Sequence, residues 1–358
     1  MSSSTEPPSR PPIRTLVVDD SAFARKAVRE MLSGSPFIEV VGTARNGEEA
    51  LDLVDELRPD VVTCDLLMPR LDGAGFVRRQ MARRPLPILI LTSSPADADL
   101  VLDALDAGAV DLVQKPTALA TAALLDIRGQ LLDKVKAAGG APVANLAGPA
   151  SVQPASASTA ALKPFGGSRK FDVLVIGVST GGPQALRFLL PRIPADFPIP
   201  IAMVLHMPIG YTALFAEKLN EISPLEIVEA KDGDPLRPGV VLLAPAGRHL
   251  ALRREKDGQV RARLVLQPID SVHRPAVDVL FQSAAEIFAD RVLGLILTGM
   301  GDDGRLGAAR IKARGGTVLT EAESSCVIYG MPRAVWEAGL SDAAVPLGSL
   351  AEAIFERL

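Results

Sequence analysis

From Thr15 to Lys115, short apolar runs (TLVVD, FIEVVGTA, VVTCD, ILILT, DLVQK) alternate with amphipathic stretches such as FARKAVREML and GEEALDLVDEL. Runs of four to six residues rich in Val and Ile predict buried strands. Their alternation with helices predicts βαβ units with right-handed crossovers, and so a doubly wound α/β domain. A helical stretch, LATAALLDIRGQLLDKVK (Leu119–Lys136), closes it. The chain then turns to Gly, Pro, Ala and Ser with almost no charge, a composition that cannot bury a core and predicts a flexible linker. Alternation resumes beyond it. FDVLVIGV, PIAMVLH, LEIVEA, VVLLAP, VLGLILTG and GTVLTE read as strands; ALFAEKLNEI, VDVLFQSAAEIF and RLGAARIKAR read as helices. LALRR and RLVLQ offer a β-hairpin within this second, mainly parallel α/β domain. The expected organisation is a disordered tail over 1–12, a first domain over 13–136, a linker over 137–168 and a second domain over 169–358.

Composition narrows the functional classes. A chain of 358 residues, 48% of them hydrophobic, has enough apolar content for two cores. The net charge of −4, with both signs spread along the chain, argues against nucleic acid as a partner. Cys64 and Cys326 stand far apart without metal-ligand spacing and read as small core residues. The opening MSSSTEPPSRPPIR lacks the apolar centre of a signal peptide, which leads to the expectation of a cytoplasmic protein. The long uncharged stretch between Ala137 and Lys163 is broken by Pro, Gly and Ser, so no membrane insertion is expected.

In a doubly wound sheet, ligands gather at the carboxyl ends of the strands. At those ends stand Asp19 and Asp20 after LVV, Asp65 after VVTC, Thr92 after ILIL and Lys115 after DLVQ. Three carboxylates suit Mg²⁺, one of them could accept a phosphoryl group, and Lys115 could offset its charge. Any one of these residues alone would be an ordinary helix cap or loop charge. With DLLMPRLDG (Asp65–Gly73) and the pair Lys115-Pro116, the domain resembles the receiver of two-component response regulators. That resemblance implies a flavodoxin-like five-stranded parallel sheet, with Asp65 as phosphoacceptor. It also implies Asp19, Asp20 and Asp65 as Mg²⁺ ligands, and Thr92 and Lys115 as the residues that respond to the phosphoryl group.

In the second domain the run FDVLVIGV leads into Ser179-Thr180-Gly181-Gly182 and a helix with Pro183 in its first turn. Gly177-Val178-Ser179-Thr180-Gly181 fits a G-x-S-x-G elbow, which exposes a serine oxygen and aims helix N-terminal amides at an oxyanion. The same residues also suit a Gly-rich turn that closes a βα unit or cradles a phosphate. His206, His249 and His273 compete for a base role, with His206 favoured by its place directly after a strand. Asp302 and Asp303, in a Gly-Asp-Asp-Gly turn, are either orienters of that base or helix caps. The order Ser, His, Asp differs from that of α/β-hydrolases, so the elbow does not license that fold.

GVSTGGP, LHMP, PAGRHL, HRPAVDVLF and LTGMGDDG, joined to a receiver, resemble the chemotaxis protein-glutamate methylesterases that also deamidate glutamine, the CheB family. The resemblance implies Ser179 as nucleophile, His206 as base, Asp303 as its orienter, and Thr180 and Met300 as supporting neighbours. It further implies an esterase domain without a cofactor, methyl-accepting chemoreceptors as substrate, a chemotaxis histidine kinase as phosphodonor, and an unphosphorylated receiver that covers the esterase cleft. Asp302 departs from the Asn that family members often carry there. A reading of another class is a response regulator whose second domain binds a nucleotide or a protein through the STGGP turn without catalysis.

Overall fold

The computed structural model describes residues 11–115, 121–146, 170–268 and 271–358, and it divides into two units, Met1–Ala147 and Gly148–Leu358. Most of the expected tail, Pro116, and residues 147–168 of the expected linker lie outside the described residues.

The first unit threads strands β1 (Ile13–Val18), β2 (Ile38–Ala44), β3 (Val61–Asp65), β4 (Ile88–Thr92) and β5 (Asp111–Gln114) between helices. The helices are α1 (Ala22–Ser33), α2 (Gly47–Leu57), α3 (Gly73–Arg83), α4 (Ala98–Asp106) and α5 (Thr121–Gly139), followed by a single turn, α6 (Val143–Leu146). The sheet is parallel in the order β2-β1-β3-β4-β5. Every residue of β3 and β4 is buried, which is why these strands read as unbroken apolar runs. Polar residues at the strand ends start the helices: Ser21, Asn46 and Asp72 each accept a first-turn amide. α5 continues three residues past Lys136, and α6 falls within the stretch expected to be a linker.

The second unit carries β6 (Val173–Val178), α7 (Gly182–Leu189), β7 (Ile201–Leu205), α8 (Thr212–Ile222), β8 (Glu226–Glu229) and β9 (Val240–Leu243). A hairpin of β10 (His249–Arg254) and β11 (Val260–Val265) follows, where LALRR and RLVLQ place it. Then come α9 (Val277–Phe288), β12 (Val292–Ile296), α10 (Arg305–Ala313), β13 (Thr317–Glu321), α11 (Met331–Glu337), β14 (Ala343–Val345) and α12 (Leu350–Phe355). Seven strands pair in parallel in the order β14-β13-β12-β6-β7-β9-β8. β14 was not anticipated, because three residues of AAV carry too little pattern to register. The helix after Pro183 ends at Leu189 and tightens into a 3₁₀ turn over Leu190–Arg192, where Pro191 supplies no backbone donor.

The core beneath the sheet is built from one face of α9: Val277, Leu280, Phe281 and Ala284 pack with Val173 and Val175 of β6, Ile296 of β12 and Ile311 of α10. Each such side chain contributes about 1.5–3 kcal/mol by leaving water. β6 lies between β7, which follows it in sequence, and β12, which arrives from much later. Strand order reverses there, and in open α/β sheets that is where a crevice opens.

Candidate active site

In the first unit, sheet register brings the polar strand ends together. Val18 pairs with Cys64, so Asp19 and Asp65 follow side by side; Thr92 pairs with Gln114, so Lys115 comes next to them. Ligand atoms of Asp19, Asp20 and Asp65 all lie within 4.8 Å of one another. Lys115 Nζ reaches Asp19 Oδ2 at 2.5 Å and Asp65 Oδ1 at 2.9 Å. Asp65 Oδ1 also accepts the Leu66 amide at 2.9 Å, and Oδ2 accepts no hydrogen bond among the described residues. Burial pushes the Asp65 carboxyl above its usual value, against the pull of Lys115. Three clustered carboxylates, all hard oxygen donors, fit a Mg²⁺ ion. Thr92 is buried at the end of β4, its hydroxyl donating to Ser94 O at 3.3 Å.

In the second unit, the Ser179 turn is held from both sides. Ser179 N donates to Thr298 O after β12, and His206 N after β7 donates to Val178 O. Gly182 N turns back to Ser179 O at 2.7 Å and closes the elbow. Gly181 sits at φ 80°, and a Cβ there would meet Val327 Cβ at 2.7 Å, so only glycine makes this turn without strain. Gly299 leaves room for Ser179: a Cβ on it would lie 2.8 Å from Ser179 Cβ. Ser179 is 9% exposed and Thr180 is buried, while Met300 stands half-buried in the loop after β12.

His206 Nε2 bonds Asp303 Oδ2 at 2.8 Å. Asp303 also accepts the Val277 amide on Oδ2 at 2.7 Å and the Asp278 amide on Oδ1 at 2.9 Å. Burial alone would raise this carboxyl, but His206 and the α9 amides outweigh it and hold Asp303 below the usual carboxylate value. With Asp303 ionised and accepting only, the His206 proton belongs on Nε2, and Nδ1 keeps its lone pair. Nδ1 is buried and bonds nothing among the described residues, the Ser179 hydroxyl included. The pairing of Val178 with Leu205 leaves Ser179 and His206 at neighbouring strand ends, about one strand spacing apart.

The other candidates separate on their contacts. His249 is fully buried; Nδ1 accepts the Ala276 amide at 3.1 Å and Nε2 lies 3.2 Å from Pro268 O. With both ring nitrogens committed to backbone, His249 serves structure. Burial holds its pKa below the ordinary histidine value. His273, also weighed as a base, stacks on the His206 ring with centroids 4.0 Å apart and 21° between planes. Asp302 is exposed and faces Arg305 at 3.4 Å. Asp303 does cap a helix, but the helix is α9 rather than the α10 that its own turn opens.

Asp278 was not anticipated as part of this site. It accepts the Gly307 amide at 2.7 Å, and burial pushes its carboxyl up to about 6. A folded pKa above the unfolded 3.8 means stability present below pH 4 that is lost as pH rises through about 6. Asp278→Asn keeps an acceptor for Gly307 and removes the buried charge. The variant is expected to gain about 1–2 kcal/mol on wild type between pH 4.5 and 7.5 in urea unfolding. A constant difference across that range would refute the assignment.

Comparison with known proteins identifies both domains. Residues 174–354 match the CheB methylesterase family and residues 15–125 the response regulator receiver domain. The chain is 52% identical over 338 residues to the Myxococcus xanthus protein-glutamate methylesterase/protein-glutamine glutaminase 5, covering 94% of this chain and 95% of that protein. The like-named protein of Symbiobacterium thermophilum is 44% identical over 354 residues, covering 96% of each. Among solved structures, the Thermotoga maritima CheB methylesterase catalytic domain is 41% identical with a TM-score of 0.51, covering 52% of this chain and 99% of that one.

Proposed function

Because the chain belongs to the CheB methylesterase family and carries a response regulator receiver domain, we propose that it demethylates glutamate methyl esters on chemoreceptors and deamidates their glutamines, under control of Asp65. The observation that carries the reading is the His206–Asp303 bond, which leaves an unprotonated ring nitrogen beside the Ser179 turn.

Ser179 Oγ attacks the ester carbonyl carbon while His206 Nδ1 takes its proton. Asp303 stabilises the imidazolium that forms through the Nε2–H bond. The Thr180–Gly181 part of the turn, at the start of α7, holds the oxyanion together with the Met300 loop. The imidazolium returns its proton to the leaving methoxide, and methanol departs. Water, deprotonated by His206, then releases the glutamate carboxylate and Ser179. On a glutamine side chain the same sequence releases ammonia.

In the receiver, Asp19, Asp20 and Asp65 would hold Mg²⁺, which when bound offsets the charge of a transferred phosphoryl group. Asp65 Oδ2, which accepts no hydrogen bond among the described residues, is the attacking oxygen. The new dianion draws Lys115 from Asp19 and turns the Thr92 hydroxyl from Ser94, and that repacking frees the esterase. The phosphodonor is a chemotaxis histidine kinase and the setting is the cytoplasm; no described helix is long and apolar enough to cross a membrane. The proposed domains are a receiver over 13–136, a linker over 137–168 and an esterase over 169–358, with α5 running three residues on into the linker.

The test is methanol release from a methylated receptor fragment with and without acetyl phosphate. Wild type is expected to accelerate about 5–150-fold with the phosphodonor, and Asp65→Asn not at all. Equal acceleration in both would remove Asp65 from the switch.

A further inference from the structure

We propose that Glu321 is a positioning residue for the Ser179 turn, an inference that rests on the nucleophile assignment above. Glu321 ends β13 and is fully buried, two strands away from β6 in the sheet. A carboxylate with no exposure is costly unless its oxygens are fully engaged. Its Oε2 accepts the Thr298 amide at 2.8 Å and its Oε1 accepts the Ser325 hydroxyl at 2.9 Å. Ser325 Oγ in turn accepts the Leu347 amide at 2.9 Å. The carboxylate therefore fixes the loop after β12 against the loop after β13.

Thr298, held in this way, carries the catalytic turn on two of its groups. Its carbonyl accepts the Ser179 amide at 3.0 Å. Its hydroxyl donates to Thr180 O at 3.0 Å and accepts the Ile328 amide at 2.9 Å. The Val178–Ser179 and Thr180–Gly181 peptide groups thus hang from one residue, and that residue's own amide hangs from Glu321. Gly299 and Met300 follow directly, with Gly299 N on Ile328 O at 3.0 Å. Both halves of the proposed oxyanion site, the Thr180–Gly181 peptide and the Met300 loop, are set by the same buried anchor. Glu321 touches neither substrate nor reacting atoms, so its effect belongs to the transition state and leaves ester binding alone. Displacement of the turn by about 1 Å is enough to cost on the order of 10²-fold in rate.

Glutamine can replace the carboxylate without losing the network. Its Oε1 accepts the Thr298 amide and its Nε2 donates to Ser325 Oγ, whose own hydrogen turns to Ala322 O, already within 3.3 Å. Alanine orphans the Thr298 amide in the core.

The full-length protein is assayed by methanol release from the methylated receptor fragment with acetyl phosphate, together with the rate of labelling by a fluorophosphonate. Glu321→Ala is expected to lose about 10–100-fold in kcat and in labelling rate, with KM within threefold of wild type, and Glu321→Gln to keep at least about a third of kcat. Should Glu321→Ala fail to fold by circular dichroism, Thr298→Val decides: it removes only the hydroxyl and is expected to cost about 10-fold in kcat at unchanged KM. The proposal is overturned by a folded Glu321→Ala of wild-type kcat, by a loss confined to KM, by Glu321→Gln as impaired as the alanine, or by a fully active Thr298→Val in the absence of a folded alanine variant. A Ser179→Ala protein that keeps wild-type rate would bring down the nucleophile assignment instead, and the two failures are told apart in one assay.

Discussion

Ser179→Ala is expected to release methanol from methylated receptor at least about 10⁴-fold more slowly than wild type, with KM little changed. No other group in the turn can take its place. Thr180 is buried with its carbonyl committed to Thr298, and the nearest cysteine of this unit, Cys326, is buried with its thiol pushed far up by burial and by Glu321. The Ser179 hydroxyl makes no hydrogen bond among the described residues, so its loss should leave the unfolding midpoint within about 0.5 kcal/mol of wild type. Labelling by a fluorophosphonate should vanish with the hydroxyl. A turn that only cradled a nucleotide or a protein partner would give no labelling in the wild type and would bind a phosphate-bearing ligand at Ser179. Labelling of wild type that persists in Ser179→Ala would sink the assignment.

The strand ends were legible in the sequence because a parallel sheet buries both its faces: VVTCD, ILILT and VLVIGV carry no charged residue before their last position. Asp65, Thr92 and Ser179 therefore announce themselves by position. The joining of His206 to Asp303 was readable only through resemblance, since the two residues stand 97 positions apart and meet across β6 and the start of α9. What could not be read were the contacts that cross the sheet. Nothing in GTVLTE distinguishes a glutamate that caps a strand in solvent from one buried under the neighbouring loop. Likewise the Gly-Asp-Asp-Gly turn reads as the cap of the helix it precedes. In the fold Asp303 reaches back to α9, whose N-cap residue Ala276 has no side-chain acceptor to offer. His249 shows the converse: the sequence leaves it in competition with His206 for the base, and two backbone bonds remove it.

The capping bond is what makes Asp303→Asn the most revealing substitution after Ser179. Asp303 presents two oxygens to three donors, the His206 Nε2–H and the Val277 and Asp278 amides. Asparagine keeps one oxygen and turns an NH₂ group on the rest. If the oxygen stays with α9, the amide donates toward His206, the ring accepts on Nε2, and its proton moves to Nδ1, the nitrogen that must receive the Ser179 proton. The base is then blocked by its own hydrogen, an inversion of tautomer that costs about 10⁴ in kcat where it has been measured in serine triads. If the oxygen stays with His206 it keeps the Val277 amide as well, the Asp278 amide faces an NH₂ group, and the helix loses part of a cap worth about 0.5–2 kcal/mol. Activity and stability cannot both survive. Asp302→Asn is the control: exposed and paired only with Arg305, Asp302 should tolerate the change within about twofold in rate. An Asp303→Asn protein that unfolds at the wild-type urea midpoint and keeps more than a tenth of kcat would show that neither α9 nor the His206 ring depends on this carboxylate.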